Sequence, residues 1–439
     1  MSSIHDGFTP KMKPVSPRRT AIVAALDIGT SKVVCLIARL KPQAPQDVLR
    51  RRSHGIEILG IGHTESGGIK CGAVVNLAEV EEAVRHAVDL AEREASVQLE
   101  SVVLSVSSGR PTSEFYAVNV NVAGSTVTDG DIARALAAGC NHSVRPGGVV
   151  LHSLPIGFSL DGVRGVGEPR GMLAREFGVD MHVVTADVAA ARNLMLAVER
   201  CHLEVETMVA APYVAGLSAI ADDEADVGAA LIDMGAGTTT MAVFAGGRFV
   251  HADGFALGGN HVTMDLARGL NARLSDAERI KTLYGSVLAG GSDERDMITV
   301  PAVNDDDREP PQFVSRASLV RFIKPRVEEI LEMVRDRLAA SPFATEMRAR
   351  AILTGGTSQL TGLPELAARI LNRPVRIGRP LGIAGLPEAA KGPAFAVATG
   401  LLVYPQVAHL EHFEPRRTRH AMTGTGYIAR VGRWLRESF

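Results

Sequence analysis

Residues 25–38 read ALDIGTSKVVCLIA, and residues 231–245 read LIDMGAGTTTMAVFA. Aligned across the turn, Asp27 falls on Asp233 and Gly29 on Gly235, 206 residues apart (233 − 27). Each copy is an apolar run that ends in Asp, then a turn of Gly and small hydroxyl residues, then a second apolar run. That pattern predicts a buried β-hairpin with a polar tip. A repeat at whole-domain spacing predicts two similar domains, each presenting one tip to a shared cleft.

The tips carry the chemistry of phosphate binding. Glycine lets backbone approach a ligand closely, and successive N–H groups in such a turn can make an anion-binding concavity. Thr30, Ser31 and Lys32 on the first tip, and Thr238 and Thr239 on the second, add further donors. Asp27 and Asp233 stand where each could hold Mg²⁺ through its water shell, since that ion gives up water reluctantly.

Three further elements suit a nucleoside. In AILTGGTSQLTGL (351–363) a short apolar strand meets Gly355 and Gly356, which leave flat open space for a purine, and a helix is predicted to follow. Gly259 and Asn260 open another predicted helix, and Glu278 with Lys281, three apart on one helix face, can reach ribose hydroxyls. The sequence holds no G-x-x-x-x-G-K-[ST], G-x-G-x-x-G, H-E-x-x-H or G-x-S-x-G, so P-loop, Rossmann, zincin and hydrolase chemistries have no support in it. His409, His412 and His420 fall in a stretch read as linker, where metal ligation is not expected.

Composition fits this reading. The 439 residues are 46% hydrophobic and 22% charged, with a formal net charge of −2. Residues 1–20 contribute +3 and residues 416–439 contribute +5, which leaves −10 for the body between them. An acidic body repels phosphate backbones, so no nucleic-acid partner is expected. Four separated cysteines without a C-x-x-C pair fit a reducing compartment. Neither a signal-peptide core nor a membrane-spanning stretch is expected, because the longest near-apolar run, Met208 to Ala221, has 14 residues where a span needs roughly 20.

The last residues, GYIARVGRWLRESF (426–439), make an amphipathic helix when wound at 100° per residue. Ile428, Val431, Leu435 and Phe439 share one face, flanked by Tyr427 and Trp434, while Arg430, Arg433 and Arg436 fill the other. Such a helix lies in anionic headgroups with its aromatics at the boundary. Packing of the same helix on its own protein is the structural alternative.

DIGTSK, IDMGAGTT and LTGGTSQLTGL, in this order and spacing, resemble the two phosphate motifs and the adenosine motif of the actin/DnaK-chaperone/sugar-kinase superfamily. The resemblance covers about residues 20–405. It implies an α/β, actin-like two-lobe ATPase fold closing on Mg²⁺ and ATP, with Ala186–Cys201 and Ala394–Leu402 as the two connecting helices. It assigns Asp27, Gly29, Thr30, Ser31, Lys32, Asp233, Gly235, Gly237, Thr238 and Thr239 to phosphate and metal, and Gly259, Asn260, Glu278, Lys281, Gly355 and Gly356 to adenosine.

Within the superfamily, ILGIGHTESGGIKCGAVVNLAEVEEAVRHAVDLAE (58–92) and the closing W-L-R-x-x-F are similar to the FtsA family of bacterial cell-division proteins. This resemblance implies a disordered tail at 1–20, first-lobe core at 21–100 and an FtsA-type inserted α/β subdomain at 101–187. A connecting helix and second-lobe core follow at 188–248, then a second-lobe insertion at 249–320. The return of the core spans 321–405, a linker 406–425 and a membrane-targeting helix 426–439. It also implies a peripheral protein on the cytoplasmic face of the cell membrane at the septum. There it would form homopolymers, contact FtsZ through residues around 249–320 and tether FtsZ filaments through the C-terminal amphipathic helix. It would also recruit other divisome proteins, recruitment and self-assembly falling partly to 101–187. Ala211 precedes Pro212 where some polymerising relatives carry a carboxylate, so slow or absent ATP hydrolysis is expected and no catalytic residue is assigned. A soluble small-molecule kinase of the same superfamily is the competing reading, and it leaves the amphipathic tail without a role.

Overall fold

The computed structural model describes residues 7–49, 52–108, 110–140, 146–291, 294–302, 311–345 and 350–411. The first hairpin, Ala21–Ile28 with Lys32–Pro42, pairs antiparallel with Asp27 opposite Val34. It forms the centre of a six-stranded mixed sheet ordered 204–210, 101–106, 21–28, 32–42, 54–65, 383–384. Val33 through Ala38 are fully buried. That explains their unbroken apolar run, because helices cover both faces of this sheet.

On one face lies helix Leu77–Ala95, started by Asn76, whose side chain accepts the Ala78 N–H, and ended by Ser96 in the left-handed region. Its apolar stripe of Val80, Val84, Ala87, Val88 and Ala91 is buried. The helix sits so close that a Cβ on Gly62 would lie 1.6 Å from the Ala87 carbonyl oxygen. On the other side, helices Ala211–Ala219 and Ala396–Val407 pack together, and a Cβ on Gly400 would lie 1.8 Å from the Val214 oxygen.

The second lobe repeats the plan. Its hairpin, Ala229–Met234 with Thr239–Ala245, sets Asp233 opposite Thr240. It sits in a five-stranded sheet ordered 248–255, 239–245, 229–234, 350–354, 375–377. A separate apolar core, including Ile232, Val243, Leu266, Ile330 and Leu353, joins that sheet to helices Gly259–Leu270 and Arg316–Ala340.

Inserted in the first lobe, between its strands Ser101–Val106 and Glu204–Ala210, is a subdomain with its own small core around Ile132, Phe177 and Met181. Strands Thr112–Asn121, Glu176–Asp187, Gly148–Leu160 and Val163–Arg164 form its sheet, backed by helix Asp129–Cys140.

The structure redraws several boundaries. Ser101–Val106 belongs to the first-lobe sheet, pairing with both Ala21–Ile28 and Glu204–Ala210, so the inserted subdomain begins after it. Helix Val188–Glu199 packs on helix Leu77–Ala95 within the first lobe. The crossing helix is therefore Ala211–Ala219, paired with Ala396–Val407, and not the Ala186–Cys201 segment. Arg248–Phe255 is an edge strand of the second-lobe sheet and not part of the insertion after it.

Residues 7–20 are not a loose tail. The Thr9 N–H and hydroxyl both donate to the Val150 oxygen, Met12 is buried, and the Val15 N–H donates to the Pro405 oxygen. Nor does the linker start at 406. Gln406 and Val407 end the buried helix, and Ala408–Leu410 is a further turn that leads to buried Glu411. Pro393–Leu410 is the one described segment long and apolar enough to cross a membrane, but 83% of it is buried inside the molecule, as expected of a core helix. The amphipathic helix at 426–439 lies outside the described residues.

Candidate functional site

The two hairpin tips meet across a cleft of about 730 Å³. Their turns are equivalent in detail. Gly29 N–H donates to the Lys32 oxygen at 2.9 Å, and Gly235 N–H donates to the Thr238 oxygen at 2.9 Å. The tips also touch: a Cβ on Gly237 would lie 2.4 Å from the Thr30 hydroxyl, so only glycine permits this closeness. The Thr30 hydroxyl in turn accepts the Gly72 N–H at 3.1 Å, from the turn of a short first-lobe hairpin.

Asp27, Gly29, Thr30, Ser31, Lys32, Asp233, Gly235, Gly237, Thr238, Gly259, Asn260, Glu278, Lys281, Gly355 and Gly356 all line this cleft. Thr239 does not. Its side chain is fully buried, and its hydroxyl donates to the Leu257 oxygen at 2.8 Å, so it fixes the hairpin and faces away from the cleft.

At the hairpin tips the charge sits on three groups, Asp27, Asp233 and Lys32. Burial raises the pKa of the Asp27 carboxyl, against the Ser105 hydroxyl that donates to it at 2.6 Å and against Lys32. Burial, joined by repulsion from Asp27, pushes Asp233 up to about 7, with Lys32 opposing. Burial lowers Lys32, while both carboxylates raise it. The Lys32 ammonium donates to the Ala394 oxygen at 2.6 Å and sits 3.8 Å over the Phe395 ring.

Two carboxylates that disfavour each other's charge are a fitting seat for a dication, which relieves both. Among the described residues no group of three or more His, Cys, Asp or Glu could hold a metal by itself. Asp27 and Asp233 would thus suit an ion that keeps its waters and takes phosphate oxygens as ligands, which is Mg²⁺ chemistry.

The residues that the resemblance assigns to adenosine are built on the second lobe. Gly355, at φ +84°, lets the chain turn beside Asp233, and its N–H donates to the Pro393 oxygen at 3.1 Å. A Cβ on Gly356 would meet nothing within 4 Å, so that surface is open. Gly259 N–H and Asn260 N–H donate to the Gly235 and Ala236 oxygens, which docks helix Gly259–Leu270 on the second tip. Lys281 donates to Glu278 at 2.6 Å and to the Thr263 hydroxyl at 2.8 Å. Burial lowers the Lys281 pKa, with Glu278 opposing.

Sequence reasoning missed several cleft residues. His63, Phe395 and Thr357 line it as well. The Thr357 hydroxyl donates to the Gly235 oxygen at 2.9 Å, which joins the Gly355–Gly356 loop to the second tip. Its place two residues after Gly355 was the available signal. His63 lies at the end of a strand and no local pattern marks it.

Comparison with known proteins gives a consistent picture. A family model for cell division protein FtsA matches residues 230–400, and one for the SHS2 domain inserted in FTSA matches residues 109–185. The chain is 51% identical over 439 residues to the cell division protein FtsA of Agrobacterium fabrum, covering 100% of this chain and 99% of that protein. It is 31% identical over 425 residues to that of Escherichia coli K12, covering 95% and 98%. Among solved structures it is similar to the PilM-PilN type IV pilus biogenesis complex (TM-score 0.58, 18% identity, 88% of this chain and 98% of that one). MreB5 of Spiroplasma citri bound to ADP is also similar (TM-score 0.53, 13% identity, 89% and 98%). These structural likenesses identify the fold as actin-like. By its full-length identity to these relatives, the chain belongs to the FtsA family of cell division proteins.

Proposed function

We propose that this chain binds ATP with Mg²⁺ in the cleft between the hairpins and polymerises on the cytoplasmic face of the cell membrane. In this reading it tethers FtsZ filaments through its C-terminal amphipathic helix and recruits later division proteins to the septum. The observation that carries the nucleotide reading is the convergence of both Asp-Gly tips and the Gly355-Gly356 loop on one cleft.

Asp27 and Asp233 would hold the Mg²⁺ water shell, and the matched turns around Gly29 and Gly235 would take phosphate oxygens. Gly356 would lie under the purine, and Glu278 and Lys281 would reach the ribose. Bound Mg²⁺ would offset the phosphate charge that two carboxylates otherwise repel. The cleft offers no carboxylate at Ala211 to orient water, so nucleotide acts as a switch on assembly more than as a fuel.

Membrane affinity of one 14-residue helix is modest, and a polymer that presents many of them gains avidity. Co-sedimentation of the full chain and FtsZ with anionic vesicles, with and without Mg-ATP, tests the reading. FtsZ should pellet with vesicles only when the chain is present, and more strongly where ATP drives assembly. A chain that stays in the supernatant with vesicles under all nucleotide conditions would overturn it.

A further inference from the structure

A second cavity, of about 300 Å³, lies away from the nucleotide cleft, where the first lobe, the inserted subdomain and the second lobe meet. Leu154 and Phe158 of the inserted subdomain, Phe244 and Phe249 of the second lobe, and Val403 and Val407 of the returning helix form its walls. Its size admits a few side chains and not a whole helix. The two arginines at its edge are already engaged. Arg52 donates to the Leu217 and Leu381 oxygens at 3.1 and 2.9 Å, and Arg248 donates to the Ile156 oxygen at 2.6 Å. Helix Asp222–Val227 borders the cavity and brings Asp222 to its rim, where its charge faces that of Arg52.

The chain itself leads to this spot. Leu410 forms part of the cavity wall while 48% exposed, and the described chain ends one residue later at Glu411. Glu411 is anchored by Lys11, His152 and Tyr404, so the start of the remaining segment is fixed at the cavity edge. From 412 to 425 there are 14 residues, polar and Gly-containing. Fourteen residues cover at most about 50 Å when fully extended, so residues 426–439 are tied within reach of the cavity.

We propose that in the lipid-free protein the apolar face of residues 426–439, led by Trp434 and Leu435, docks in this cavity, so that the membrane helix is stored on the protein until lipid competes for it. This rests on reading those residues as an amphipathic helix. The match is apolar face to apolar cavity, with the arginine face of Arg430, Arg433 and Arg436 turned outward to water. Membrane binding and docking use the same side chains and exclude each other, so every closed molecule is one withheld from the membrane.

Trp434 is the only tryptophan in the chain, which gives a direct readout. Its emission and acrylamide quenching are measured on the full-length protein without lipid, over a range of protein concentrations. They are measured also on a Leu49→Gln, Leu410→Gln variant, which alters two rim side chains that are 38% and 48% exposed and so leaves the fold intact. The expected result is blue, shielded emission at every concentration, which the variant turns red. Vesicle co-sedimentation of the variant should strengthen about tenfold, as for removal of a closed state about ten times as populated as the open one. Water-exposed emission in the parent protein would overturn the proposal. So would blue emission that persists in the variant, or that grows with concentration and thus reports a second copy. If Trp434 is exposed without lipid and the protein still binds anionic vesicles, docking falls and the membrane reading stands. If neither lipid nor the cavity shields it, both fall.

Discussion

Glu411 accepts a hydrogen bond from His152 Nδ1 at 2.7 Å, although 259 residues separate the two. The opposite ring nitrogen, Nε2, accepts the Ala210 N–H at 2.9 Å, so the proton sits on Nδ1 and the ring is neutral. Lys11 donates to the other Glu411 oxygen at 2.6 Å, and the Tyr404 hydroxyl donates at 2.9 Å. One buried carboxylate thus ties the N-terminal segment, the inserted subdomain and the returning helix into a single knot.

Removing that carboxylate leaves Lys11 without its charge partner. Glu411→Gln should therefore cost about 3–5 kcal/mol in urea unfolding, the usual result of breaking a buried ion pair. A loss within the range of an ordinary surface substitution would show that the knot is not a structural element.

The same knot makes the protein acid-labile in two steps. Burial lowers the His152 pKa, so below an ordinary histidine value of about 6.5 the unfolded chain binds a proton that the folded one does not, and stability falls. Burial alone would raise Glu411, but Lys11 and His152 hold it well below the usual carboxylate range. Its contribution is therefore present above about 4.3 and is lost as pH falls further. Unfolding midpoints measured from pH 8 to 4 should decline below 6.5 in the parent. His152→Gln should lessen the first part of that decline, with His182 and His251, also held low by burial, supplying the rest.

At the crossing of the helices, Gly400→Ala puts a methyl where the Val214 oxygen already stands. The helices must separate or bend, at a cost of about 1–3 kcal/mol. Gly356→Ala is the opposite case, because its Cβ meets open space. That variant should unfold within about 0.5 kcal/mol of the parent and yet lose Mg-ATP affinity, if a purine lies on that surface. Equal affinity in both proteins would move the base elsewhere.

Ala211 lines the cleft where a carboxylate could orient water. Ala211→Glu should raise ATP turnover by about tenfold or more from a slow starting rate, in line with general-base effects. Fast turnover in the parent protein would contradict the view of nucleotide as a switch.

How far the sequence could be read follows from where each constraint acts. The hairpins were legible because strand, turn and Asp-Gly spacing are local and repeated, and fifteen of the sixteen residues assigned from them and the other Gly elements line one cleft. Thr239 was misplaced since alternation along the strand turns it toward Leu257. The crossing helix was misjudged because Val188–Glu199 and Ala211–Ala219 are both apolar, and only the strand Glu204–Ala210, returning to the first-lobe sheet, separates their roles. Residues 7–20 and 406–411 looked loose for a different reason. Their order comes from contacts with each other and with the inserted subdomain, across hundreds of residues, and no local periodicity records that.

The central claim is that Asp27 and Asp233 share one Mg²⁺-nucleotide site, and Asp233→Asn tests it most directly through paired measurements of Mg-ATP binding by calorimetry and of thermal unfolding without nucleotide. The substitution removes one of two mutually repelling buried charges, so the nucleotide-free protein should gain stability while Mg-ATP affinity falls by about tenfold or more. Unchanged Mg-ATP affinity in the variant, or no binding by the parent chain, would contradict the account.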